Sequence, residues 1–235
     1  MSNLRRQFIE DNRNAFEAYL EKVSDKRRPV QGLGVLSARE SLKAALEGKK
    51  AFYLPLAFIH LFFEFETPED REFVLTSLKN ISEIKDGDKI ADPTIAYVYA
   101  YCLCRAGDEE AHYVQLERLS EQCFMPALAT MGDACIANHA IEEGLSWYAH
   151  AMDHGYMMVT PRHNKLVFKD ANFLKNLPLR VLSKFDVIYR ALEFLKRGIK
   201  GEHALYLDFY GIKRYLNEYW EIPKDERIKM LTEQA

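Results

Sequence analysis

Residues 126–155, PALATMGDACIANHAIEEGLSWYAHAMDHG, constrain the fold more than any other stretch of this chain. Two short helical patterns are separated there by a turn near Asn138 and are arranged as one unit of a helical repeat. Roughly three or more such units are needed to bury a continuous core. Units of this kind build binding scaffolds, so they speak clearly about architecture and little about the partner.

The rest of the chain reads almost entirely as helix. Leu4, Phe8, Ala15, Tyr19 and Val23, with Ile9, Phe16 and Leu20 beside them, form the apolar face of a first helix. Arg27-Arg28-Pro29 ends it, and the stretch to Gly34 reads as a loop. Ser37 and Glu40 have the spacing of a capping box, which opens a second helix that Gly48 stops. Ala51–Phe65 is an apolar helix. Thr67-Pro68-Glu69-Asp70 supplies a cap, a first-turn proline and acids for the next, whose inner face is Phe73, Val74, Leu78 and Ile81. Lys85–Lys89 reads as a polar turn. Asp92-Pro93 and Pro126 each open a helix, the first turning at Gly107-Asp108 into a partner over 109–121. Past Gly155 the period loosens over Val159–Lys175, and helices follow over 179–197 and 202–220, with a short one from Pro223. No alternating segment reads as a sheet, so the expected class is all-α.

Residues 93–121 and 126–154 are weakly self-similar: Pro93 and Pro126 lie 33 apart, as do Glu109-Glu110-Ala111 and Glu142-Glu143-Gly144. Small residues Ala100 and Gly132 correspond when one position is gapped, and would let paired helices approach closely. Ala127, Met131-Gly132, Gly144, Trp147-Tyr148, Ala151-Met152 and Gly155 hold one register, and on these residues the segment 127–155 resembles the Sel-one-like subfamily of tetratricopeptide-type repeats. It departs from that pattern at Cys135 and over Asn138–Ile141. The resemblance implies an antiparallel helix-pair solenoid, with extra N- and C-terminal helices, that takes a protein or peptide on its concave face. The pairs 38–65, 68–106, 109–137 and 140–155 supply the stack. One helical-repeat domain is expected over 1–235, with N-terminal helices to 50, a repeat core over 51–158 and a helical cap over 159–235.

A chain of 235 residues, 48% hydrophobic and 12% aromatic, is long and apolar enough for a real core. The stretch Ala51–Phe65 is shorter than the ~20 residues of a bilayer span, and it holds His60 and Glu64. The N-terminal residues carry no apolar run of the signal-peptide kind. Cys102, Cys104, Cys123 and Cys135 form no CxxC pair, and reduced, mostly buried thiols in a cytoplasmic protein are expected. Charge is uneven: residues 1–50 carry 11 Lys+Arg against 7 Asp+Glu, residues 51–159 carry 6 against 18, and residues 160–235 carry 15 against 10. An acidic middle of this kind prefers a basic or mixed-charge partner, and also suits a neighbouring copy's basic flank.

In the family that the segment resembles, the first helix of each pair lines the concave side. Tyr97, Tyr101 and Arg105, at i, i+4 and i+8, with Asp133 on the next such helix, are therefore the candidate partner-binding residues. No metal ligand set is expected. His150 and His154 share a helix face, as do Cys135 and His139, but the two pairs sit at opposite ends of a hairpin, roughly 15–20 Å apart. No phosphate-binding loop, dinucleotide fingerprint or hydrolase motif is present, so no catalysis and no cofactor are expected. The leading functional expectation is a non-catalytic adaptor or chaperone-like scaffold. Next stands a nucleic-acid-associated protein using Lys196, Arg197, Lys200, Lys213 and Arg214 with Tyr206, Tyr210, Tyr215, Tyr219 and Trp220. A self-associating structural subunit is third. A membrane surface ranks below these, because Asp186, Glu193, Glu202 and Asp208 dilute the positive face.

Overall fold

A computed structural model describes residues 3–23, 25, 28–30, 34–49, 53–64, 67–156 and 159–167, together with helical positions 185, 188, 189 and 192. Of the described residues 81% are helical, in ten helices, as the all-α expectation requires. These are α1 (Asn3–Asp11), α2 (Arg13–Lys22), α3 (Ala38–Leu46), α4 (Tyr53–Glu64), α5 (Pro68–Glu83), α6 (Pro93–Ala106), α7 (Glu109–Glu121), α8 (Met125–Ala137), α9 (Ile141–Asp153) and α10 (Thr160–Val167). No described helix is long and apolar enough to cross a membrane. The described residues divide into two compact units, one up to Gln115 and the other from Leu116, the division falling inside α7.

The first unit is built around α4. Its residues Leu54 to Phe62 are all buried, because a helix apolar on every side has no face to give to water. It packs on α3, α5 and α6. Phe16 of α2 is 1% exposed and meets Phe8, Phe58 and Phe73 edge-on or tilted, with ring centroids 5.9–6.1 Å apart. Val74, Leu78 and Ile81 of α5 point into the same core, with Phe73 packed against it.

Local sequence sets the element ends. The Ser37–Glu40 capping box is formed in both directions: Glu40 N–H donates to Ser37 Oγ at 3.1 Å and Ser37 N–H to Glu40 Oε2 at 2.9 Å. Gly48 takes the left-handed φ of +65° that ends α3. Thr67 Oγ1 caps α5, with Pro68 in the first turn. Asp92 Oδ1 accepts from Ile95 N–H and so caps α6.

Three readings of the pattern are corrected. The first helix is two: Asn12 leaves helical geometry at φ −115°, ψ 14°, and its side-chain amide donates to the Phe8 carbonyl at 2.9 Å. Asparagine competes with a helix in this way by offering the backbone a local partner. The stretch read as a loop pairs as two strands, β1 (Arg28–Val30) antiparallel to β2 (Gly34–Leu36). The polar turn is likewise a hairpin, β3 (Lys85–Asp86) against β4 (Lys89–Ile90), turning on Gly87 at φ +65°. Each pair is too short to show the alternation by which strands are recognised.

In the second unit α8 and α9 form a tight antiparallel pair, and α10 packs on α9. Gly132 and Gly144 let the two backbones meet. A β-carbon on Gly132 would come within 2.6 Å of the Tyr148 ring and 3.1 Å of the Gly144 carbonyl oxygen. One on Gly144 would stand 2.5 Å from Ile136. Where the period loosens past Gly155, Thr160–Val167 is helical. The helices expected over 202–220 and from Pro223, with their basic and aromatic residues, lie outside the described residues. That over 179–197 is described only at Phe185, Ile188, Tyr189 and Leu192.

Candidate functional site

Tyr97 and Tyr101 sit on the face of α6 that the core covers and are 6% and 7% exposed. Burial pushes the Tyr101 phenol well above the ordinary tyrosine range. Arg105, one turn further along, is exposed at the end of the helix. The i, i+4, i+8 row therefore runs from interior to surface, and of the three only Arg105 presents its side chain to solvent. The same unit places His112 Nδ1 2.7 Å from the carbonyl of Ala100, so that nitrogen carries the proton and fastens the start of α7 to α6.

Asp133 belongs to the second unit and is held by two partners. The Tyr148 hydroxyl donates to its Oδ1, and Arg162 Nη1 reaches both carboxylate oxygens, the longer contact being 2.7 Å. Burial, then the Asp133 carboxylate, raises the Tyr148 phenol above its ordinary range. Burial opposes the charge on Arg162, but Asp133 and Tyr148 together more than offset it and the guanidinium is raised. The arrangement ties α10 to the α8–α9 pair through a residue that reads as a contact position in the sequence. Arg162 escapes notice there because it lies past the repeat pattern.

A third group gathers at one end of the α8–α9 pair. His150 and His154, in and just after the last turn of α9, bring their Nε2 atoms to 3.2 Å, with ring centroids 4.9 Å apart. Cys123, in the connection from α7 to α8, joins them, and the donor atoms of all three residues lie within 4.8 Å of one another. Cys123 is half-buried and holds a left-handed φ of +55°, rare for a residue with a side chain. Two helices of 13 residues each, run antiparallel, put the segment before the first beside the end of the second. That equality of length is the sequence signal that brings Cys123 to the histidines, where Cys135 and His139 lie near the turn. Among the described residues no other group of three or more metal-binding side chains is gathered so closely.

Among the described residues, the most exposed large apolar side chains fall between positions 185 and 192. Phe185, Ile188, Tyr189 and Leu192 are each helical and 55–64% exposed, at positions i, i+3, i+4 and i+7. Between Leu179 and Arg197 the chain carries five basic and two acidic residues. No family model, curated protein or solved structure matches this chain.

Proposed function

We propose that this chain is a non-catalytic interaction module, built of tetratricopeptide-like helix pairs, that binds a protein through the row Phe185, Ile188, Tyr189 and Leu192. One observation carries the reading: four large apolar side chains at i, i+3, i+4 and i+7, each at a helical position, are more than half exposed. Exposed contiguous apolar surface is the mark of an interaction site, and anchors at i, i+3, i+4 and i+7 are how an amphipathic helix enters an apolar groove. The basic excess around the row fits a groove with an acidic rim. The adaptor reading thus keeps its class but moves its surface, since Tyr97 and Tyr101 are interior and Asp133 is engaged by Arg162.

The test is affinity purification of the full chain from its native host, with and without nuclease, beside an Ile188→Glu/Leu192→Glu variant. The reading expects a stoichiometric protein that survives nuclease and added chelator, weakens with salt, and is lost from the variant. Recovery that vanishes with nuclease transfers the function to nucleic acid. A partner held equally by the variant overturns the row as the contact. Light scattering of the purified chain across a salt series identifies a second copy as the occupant, if the mass falls to that of a monomer as salt rises.

A further inference from the structure

We propose that Cys123, His150 and His154 form a zinc site, with the Cys123 thiolate and the two imidazole Nε2 atoms as three tetrahedral ligands and water in the fourth position. The two nitrogens already stand 3.2 Å apart. Two nitrogens on a tetrahedral zinc, each at about 2.0–2.1 Å, are separated by about 3.3 Å, so the ion fits between them without moving α9. The thiol lies within 4.8 Å of both, a gap that a small side-chain rotation closes.

Donor chemistry selects the metal. One thiolate and two imidazoles suit a borderline-soft ion with no oxygen requirement, which excludes magnesium and calcium and favours zinc. Two further observations fit the assignment. Spacing at i, i+4 puts both rings on one face of α9, and the left-handed backbone of Cys123 holds a strained loop residue where they converge. Without an ion, one ring must donate to the other across the 3.2 Å contact. With an ion, both nitrogens act as acceptors for the same charge. The site fastens the α7–α8 connection to the end of α9, closing the hairpin at the end opposite its turn. Zinc binding is then part of the folding free energy of the second unit.

The experiment uses the untagged full chain, stripped with chelator and titrated with cobalt(II) as a spectroscopic probe. The expected result is the visible absorption of a tetrahedral cobalt–thiolate centre, saturating at one equivalent and abolished by zinc. Cys123→Ser, His150→Gln and His154→Gln should each weaken zinc binding about a hundredfold or more, with the far-ultraviolet circular dichroism unchanged. A Cys135→Ser/His139→Gln variant should bind as the unaltered chain does. Zinc should also raise the urea midpoint of the chain and leave that of Cys123→Ser where it was. Absence of a saturating cobalt spectrum overturns the proposal. So does zinc affinity that survives in Cys123→Ser, or that is lost in the Cys135→Ser/His139→Gln variant, since either places the metal elsewhere.

Discussion

Asp92 serves two donors at once. It caps α6 through Ile95 N–H and meets Arg5 side by side, at 2.5 Å to Nε and 2.9 Å to Nη2, with both side chains almost fully buried. Taking two charges out of water is expensive, and such a pair holds because every oxygen is satisfied. Removing Asp92 leaves the Arg5 guanidinium charged and buried without its carboxylate. Asp92→Ala should therefore lower stability by about 3–5 kcal/mol, read from the urea midpoint. Replacing both residues by apolar ones should cost clearly less than the two single changes added together. A double-mutant cycle with no coupling would mean that the pair contributes nothing beyond the cap. The cap is legible at a glance in Asp92-Pro93. Arg5 is not, because its partner lies 87 residues further on and periodicity reports only near neighbours.

At the scale of elements, the α8–α9 pair is decided by two residues without side chains. Gly→Ala on an open helix surface stabilises by about 1 kcal/mol, because alanine loses less freedom on folding. At Gly132 the added carbon meets both the Tyr148 ring and the backbone of the neighbouring helix. Gly132→Ala should accordingly reverse the usual sign and destabilise by about 1–3 kcal/mol in urea unfolding, with a neutral or favourable result refuting the close approach. This much of the architecture is legible: Gly132, Gly144 and the Trp147-Tyr148 pair already indicate two helices packed closely. Helix ends are legible too, at Ser37, Thr67, Asp92 and Gly107, where one residue's chemistry decides the matter. The break at Asn12 and the two short strand pairs are not, since Asn12 acts through one local side-chain bond and each strand is too short to show its alternation. The zinc ligands are half legible, the histidines by spacing and Cys123 only once the hairpin's two arms are known to be equal.

For the whole molecule, alkaline pH is the informative variable. Burial raises the Tyr19, Tyr99, Tyr101 and Tyr148 phenols and the Cys102, Cys104 and Cys135 thiols above their ordinary values. Each group holds its proton more tightly folded than unfolded. As pH rises past the ordinary values, near 9 for the thiols and 10 for the phenols, the unfolded chain releases protons that the folded chain retains. Stability is therefore intact below pH 9 and should decline progressively above it. Urea midpoints measured from pH 8 to 11 should show that fall, and it should be shallower in Tyr148→Phe than in the parent chain. A flat profile to pH 11 would mean that these groups are not buried in solution. The zinc site and the exposed row at 185–192 report separately on the second unit, one through metal and the other through a partner.

The 87-residue separation of Arg5 and Asp92 also sets a clock. At ribosomal speeds of about 5–20 residues per second, the carboxylate is made about 4–17 s after the guanidinium that needs it. Helix formation takes under a microsecond and hairpin closure microseconds. On those scales the α1 segment waits long for its anchor, with a charge it cannot yet bury. The earlier-made of the two partners must therefore wait for the later one before its guanidinium can be buried.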